Sequence, residues 1–453
     1  MFRSLNPATG ALIAEHVPHD AAEISSRLDA AVAAFGSWRH QSFERRAEPM
    51  TRLAAVLRRD RDALARLAVA EMGKPIAQAE AEVEKCAGCC EHFASQASRY
   101  LAPEPIATDA SDSFVRFDPL GVVLAVMPWN FPFWQVIRAA VPALMAGDTV
   151  LLKHASNVMG CAAALERAFA DAGFPPGAFA ALRVDAATAL GLVDDPRIAA
   201  VTLTGSEPAG RAIAARAGAA LKRTVLELGG SDPFVVLADA DVASVAEAAT
   251  DARLQNNGQS CIAAKRFIIE APIAEAFEAA FTERMARRRV GDPLDRATQL
   301  GPLARADLVD DLDRQVRESV AKGARVATGG RRLPGPGCYY AATVLTEVSP
   351  GMRCFDEETF GPLAAVTRAR DATHAIELAN TSGFGLGASL WTADAARGRE
   401  LARDIETGYV FVNGVVRSDA RLPFGGIKRS GWGRELSAFG IREFVDVKTV
   451  WVR

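Results

Sequence analysis

No stretch of this chain is apolar for long enough to cross a bilayer as a helix. The longest clean run, GVVLAVM at 121–127, falls far short of the roughly 20 residues such a span requires. The opening residues MFRSLNPATG lack the apolar centre of a secretory signal, so a cytoplasmic protein is expected. Cysteine is sparse and odd in number, seven over 453 residues, which excludes a disulfide framework and fits free thiols in a reducing compartment. An excess of one charge is missing too: 52 basic and 55 acidic residues give a formal charge of −3, no footprint for nucleic acid or an anionic membrane, and neither partner is expected. Cys86, Cys89 and Cys90 form a CxxCC run without a second ligand pair nearby, in a helical stretch, so they read as buried packing and no metal site is assigned. No G-x-G-x-x-G follows any strand-like run, so the ordinary dinucleotide fingerprint is absent.

What remains is a globular chain, 49% apolar and too long for one core, so two or more domains are expected. Residues 21–37, 44–71 and 76–99 read as amphipathic helices, with Leu53, Val56, Leu57, Leu64 and Leu67 on one face. From 120 to 238, β-branched runs alternate with helical segments: GVVLAVM, TVLLKH (149–154), AVTLTG (200–205), TVLEL (224–228) and FVVLA (234–238). Such alternation implies crossovers and a parallel sheet. A second alternating region follows Cys261, with RFIIE (266–270), helices over 273–288 and 304–322, and YVFVNG (409–414); LPGPGCYY (333–340) reads as an exposed turn within it.

Three short strings carry chemistry. NNGQSC (256–261) places Cys261 after glycine and polar residues, in an open loop where a thiol can be reached and ionised; the other six cysteines lack that context. ELGG (227–230) supplies Glu227, a candidate base that in isolation reads equally as a strand-end carboxylate, and PWNFP (128–132) supplies Asn130, an amide donor. A thiol attacking a carbonyl needs these parts: a nucleophile, a donor where oxygen becomes negative, and a group that activates water. In TGSEPAG (204–210) a strand ends at Gly205 and Ser206 can cap a helix with Pro208 in its first turn, an arrangement suited to an anion such as a pyrophosphate.

These strings, with EETFGP (357–362), NPATG (6–10) and PFGGIKRSGWGRE (423–435), resemble the aldehyde dehydrogenase superfamily over nearly the whole chain. Within it the runs PWNFPFWQVIRAAVPALMAG, LLKHASN and ELGGSDPFVV are most similar to bacterial succinate-semialdehyde dehydrogenases. The resemblance implies an α/β fold with two Rossmann-like parallel-sheet domains and a small β oligomerisation element. Residues 1–100 and 120–229 would bind the cofactor, 230–429 would carry Cys261, and 101–119 with 436–453 would join subunits into a homodimer or homotetramer. It implies a thioester on Cys261, Asn130 as oxyanion donor and Glu227 as the base for water.

Cofactor contacts are implied for Trp129, Asn130, Lys153, His154, Ala155, Ser156, Gly205, Ser206, Leu228, Glu358 and Phe360. Ser156 stands where NAD-preferring relatives often carry Glu. A carboxylate there would repel a ribose 2′-phosphate, whereas a hydroxyl with Lys153 attracts it, so NADP is expected to be preferred and NAD accepted. His154 replaces a common Pro and could also approach the phosphate.

Arg138, about 12 Å along the helix from Asn130, and Ser418 match positions that hold a distal carboxylate. Gln255 stands where some relatives have a second Arg, with Arg253 two positions away. The expected reaction is oxidation of succinate semialdehyde to succinate. The alternatives are another short aldehyde such as glutarate semialdehyde or, in a different class, a cofactor-free thiol hydrolase, which none of the six His residues supports by motif.

Overall fold

The computed structural model describes residues 1–453. Apolar β-branched runs become strands in two separate sheets, and amphipathic helices cover them. The first sheet has six strands in the order Gly431–Trp432, Arg223–Glu227, Ile198–Thr204, Val122–Met127, Thr149–His154, Phe179–Leu182. All pair in parallel except the short Gly431–Trp432 edge. From the central strand Val122–Met127 the chain winds outward first to one side and then to the other. The crevice between this strand and Ile198–Thr204, at their carboxyl ends, is therefore the topological switch point where open α/β sheets bind ligands. The loops that leave that edge are PWNFP, TGSEPAG and ELGG.

The second sheet has seven strands, ordered Arg325–Thr328, Thr343–Thr346, Leu363–Ala369, Arg266–Glu270, Pro233–Val236, Gly387–Trp391, Tyr409–Val412. The run FVVLA, read as continuing the first alternating region, belongs here, paired with Arg266–Glu270 and Gly387–Trp391. Its periodicity matches the preceding strands, and only the tertiary partner distinguishes them. A third sheet joins Val445–Val452 antiparallel to Asp112–Pro119, with Glu104–Pro105 at its edge. The segment read as one helix over 44–71 breaks at Asp60 into Phe43–Arg59 and Arg61–Met72. Residues 58–62, RRDRD, hold no apolar side chain to fix the direction of the chain. No helix is long and apolar enough to cross a membrane.

Cys86, Cys89 and Cys90 are buried on the helix Ile76–Tyr100 within the larger core cluster. The helix Trp134–Ala146 is buried on every side, Arg138 included. Its amino end is held by a carboxylate from the neighbouring helix: Glu82 Oε1 accepts from the backbone N–H groups of Phe133 and Trp134, both at 2.9 Å. The other oxygen pairs with Lys74, also wholly buried, whose ammonium lies 4.1 Å from the Phe131 ring. Removing one partner of a buried pair strands the other charge, at a cost of roughly 3–5 kcal/mol. Glu82→Ala is therefore expected to lower the free energy of unfolding by about that amount, read from the urea midpoint. A change below about 1 kcal/mol would show that water reaches Lys74 and satisfies it.

Candidate active site

Cys261 sits where two cavities meet, and it lines both. The loop carrying it is shaped by three consecutive left-handed residues, Asn256 (φ 55°), Asn257 (φ 60°) and Gly258 (φ 75°), residue types that tolerate this region. Their side chains fix the loop. Asn256 Nδ2 donates to the Asn130 carbonyl at 2.7 Å and to Gln259 O at 3.0 Å, and Asn257 bridges Gly73 O and Pro302 O at 2.9 Å each. Asn130 Nδ2 donates to Gln259 O at 3.0 Å, which engages one of its two N–H groups and leaves the other for an oxyanion beside Cys261. Lys265 supports the loop from below, donating to the Ser260 and Cys261 carbonyls at 3.0 and 2.6 Å.

The first cavity, of about 240 Å³, gathers Trp129, Asn130, Gly205, Ser206, Leu228, Cys261, Glu358 and Phe360 from five separate parts of the sequence. Trp129 and Phe360 meet edge to face at 5.7 Å, and Arg305, which the motifs did not indicate, lies over Trp129 at 5.4 Å. Ser206 occupies the cap position of the helix Glu207–Ala219, but its side chain makes no capping hydrogen bond, contrary to expectation; the first-turn N–H groups stay free for an anion. Glu358 Oε1 accepts from the Gly230 N–H at 3.0 Å, and a Cβ on Gly229 would lie 2.3 Å from Glu358 Oε2, so Gly229 leaves room for that carboxylate, while a Cβ on Gly230 would crowd the Cys261 carbonyl at 2.9 Å.

Lys153, Ala155 and Ser156 stand at the carboxyl end of the strand Thr149–His154 and outside this cavity; Lys153 is half-buried and Ser156 exposed. His154 does not share their direction. It is buried, one ring nitrogen lies 2.8 Å from Pro132 O and the other 3.3 Å from Met127 O, and burial depresses its pKa to about 4. It is a neutral packing residue that braces PWNFP, so the expected approach to a phosphate is corrected.

The second cavity, of about 200 Å³, is lined by Arg138, Gln255, Cys261 and Ser418 and also by Gln78, Lys85 and Arg417. Arg138 is not a helix-surface residue. Its Nε forms an ion pair with buried Glu435, its guanidinium lies 4.5 Å over Phe424, and Nη2 is 3.4 Å from Thr204 Oγ1. Burial opposes its charge most strongly, but Glu435 together with Glu227, Cys261 and Tyr409 more than offsets this and holds it cationic. Gln255 lines the cavity, but its amide nitrogen donates to the Ala252 and Ile262 carbonyls at 3.4 and 3.3 Å. Arg253 is sealed in the core, donating to Ala264 O at 2.8 Å and Gly361 O at 2.6 Å.

Glu227 ends its strand beneath the two cavities and lines neither. Burial and the neighbouring Glu435 raise its pKa, which suits a base working near neutrality. Neither of its oxygens has a well-formed hydrogen bond, so both remain able to accept. Cys261 also differs from expectation: desolvation pushes its thiol up to about 12, and Arg138 and Lys265 counter only part of this. Iodoacetamide labelling of Cys261, followed by peptide mass spectrometry, should therefore accelerate about tenfold per pH unit up to pH 10 without a plateau, since only the thiolate reacts. A plateau below pH 9 would show a pre-formed thiolate.

The aldehyde dehydrogenase family model matches residues 1–450. A probable succinate-semialdehyde dehydrogenase [NADP(+)] of Synechocystis is 51% identical over 449 residues, 99% of each chain. The succinate semialdehyde dehydrogenase [NAD(P)+] of Escherichia coli is 49% identical over 448 residues, 99% of this chain and 97% of the other. The crystal structure of succinic semialdehyde dehydrogenase from Streptococcus pyogenes, in complex with NADP+, superposes over the full length of both chains with a TM-score of 0.98 at 33% identity.

Proposed function

The chain belongs to the aldehyde dehydrogenase family, and we propose that it oxidises succinate semialdehyde to succinate with NADP+ as the preferred acceptor and NAD+ as a second. One observation supports this reading above the others. Cys261 separates a cavity edged by a free helix amino end and aromatic faces from a second, cation-lined cavity, so an aldehyde carbon held at the thiol reaches a cofactor on one side and projects its far end into positive charge on the other.

The donor set fits the dinucleotide: the uncapped helix Glu207–Ala219 with Gly205 and Ser206 for the pyrophosphate, Lys153 and Ser156 for the ribose bearing the 2′-phosphate, Glu358 for the second ribose, and Trp129, Leu228 and Phe360 around the ring. When bound, the cofactor supplies the hydride acceptor. The chain does the rest. Cys261 Sγ attacks the aldehyde carbon; the free N–H of Asn130 and the backbone N–H of Cys261 stabilise the oxygen as it becomes negative; the thioester left on Cys261 is opened by water whose proton passes to Glu227. The thiol must lose its proton before the first step, to water in the open cavity, and the Arg138 and Lys265 charges then favour the thiolate once substrate excludes water.

In this reading residues 1–100 and 120–229 bind cofactor and 230–429 carry the nucleophile. The sheet of Glu104–Pro105, Asp112–Pro119 and Val445–Val452, whose outer strand exposes Val447 and Trp451, joins subunits of a cytoplasmic homodimer or homotetramer.

Reduced-nicotinamide absorbance during turnover of a panel of aldehydes tests the reading: succinate semialdehyde with NADP+ should give the highest kcat/KM, and no absorbance change with any aldehyde would reject it. In Glu227→Gln a burst of reduced cofactor followed by a phase slowed about 10²- to 10⁴-fold is expected, because the base is missing only from thioester hydrolysis. Equal slowing of both phases would remove Glu227 from that step. Ser156→Glu should raise KM for NADP+ at least tenfold while sparing NAD+, as the new carboxylate meets only the 2′-phosphate. Unchanged discrimination would place the phosphate elsewhere.

A further inference from the structure

The second cavity holds three cations, and they are not equivalent. Arg138 is committed to Glu435 and to the face of Phe424. Arg417 is exposed at the mouth. Lys85 is half-buried between them, on the helix Ile76–Tyr100, where Gln78, Ala81, Glu82 and Lys85 recur at helical spacing and form one wall of the cavity. Its ammonium lies 4.3 Å over the Trp134 ring and donates to Ser418 Oγ at 2.6 Å, but it has no carboxylate partner; the acid on its own face, Glu82, is spent on Lys74. A cation taken this far out of water without a counter-ion, in the cavity that holds the nucleophile, is a site waiting for an anion.

We propose, resting on the succinate semialdehyde reading above, that Lys85 is a further residue of the distal-carboxylate seat, its ammonium acting beside the Ser418 hydroxyl already implied by resemblance, with Arg138 as the charged wall behind them. Ser418 accepts from Lys85 and so keeps its own hydroxyl proton free to donate to the same carboxylate. One carboxylate oxygen then meets the ammonium and the other the hydroxyl, and the aldehyde at the opposite end lies toward Cys261 across a cavity sized for a short chain. An aldehyde without the carboxylate leaves Lys85 uncompensated, which is the basis of discrimination.

Burial depresses the Lys85 pKa to about 8, as does Arg138 on the facing helix; Cys86, Cys89 and Glu82 on its own helix act weakly in the opposite sense, and from the facing loop come the exposed Arg417 and neutral Ser418. The anion-binding form is the protonated one. Preference for succinate semialdehyde should therefore be full below pH 8 and decline as pH rises through it.

The test compares succinate semialdehyde with butanal, its uncharged analogue. Lys85→Met should lower kcat/KM for succinate semialdehyde by roughly 10- to 150-fold, chiefly through KM, and butanal by much less. Lys85→Arg should restore most of the preference and abolish its decline above pH 8. Binding is read independently: succinate should protect Cys261 of the wild-type protein from iodoacetamide and fail to protect Lys85→Met. Equal losses on both aldehydes, undiminished protection by succinate in Lys85→Met, or transfer of the whole effect to Arg417→Ala would overturn the assignment. Failure of the wider reading shows elsewhere, in the wild-type protein, as equal kcat/KM for the two aldehydes; that result removes the carboxylate seat with it.

Discussion

A guanidinium sealed inside the protein sets the electrostatics of everything around it. Arg138 lies on a helix with no solvent-facing residue, and its charge is sustained by Glu435, brought in from close to the carboxyl end of the chain. Such a pair contributes little net stability, because two desolvations oppose one attraction, but breaking it is costly. It therefore works as a constraint: the C-terminal segment must lie against the helix behind PWNFP for Arg138 to be buried with its charge compensated. The same charge favours the Cys261 thiolate and the Glu227 carboxylate, while Glu435 resists a second negative charge at Glu227. Nucleophile and base thus share one compensated charge cluster.

Around this cluster the backbone is fixed by amides. Asn130, Asn256, Asn257 and Gln259 tie the loop after the central strand of the first sheet to the loop before a strand of the second, so the oxyanion donor and the thiol are held in one hydrogen-bonded frame although they come from different sheets. Glu82 adds a second tie by holding the helix that follows PWNFP at its amino end. Preorganised donors of this kind need no rearrangement as charge develops on the substrate oxygen, which is why they are effective in a dry site.

Much of this was legible in the sequence because it is local. Strand runs, helical faces and the strings around Asn130, Glu227 and Cys261 each follow from residues within a few positions of one another, and the resemblance of those strings to a known family supplied the rest of the architecture. The sequence also indicated that Cys261 differs from the other six cysteines, because only it follows an Asn-Asn-Gly turn.

What the sequence could not settle were properties that depend on distant partners. His154 is adjacent to Lys153, but its ring turns inward to the Met127 and Pro132 carbonyls, one just before PWNFP and one at its end. Arg138 has an ordinary helical neighbourhood in sequence, and its counter-ion lies almost 300 positions away. Lys85 carried no motif at all, since a lysine on an amphipathic helix is normally a solvated one. Thiol ionisation, too, depends on burial and on the field of remote charges, so the loop sequence indicated that Cys261 can be reached but not that desolvation raises its pKa. Local sequence patterns carried most of the secondary structure, the chemistry available and the family resemblance, but not the break at Asp60. Tertiary structure alone decided which charges are compensated and which remain free, because compensation is set by distance in space and desolvation, neither of which has any fixed relation to separation along the chain.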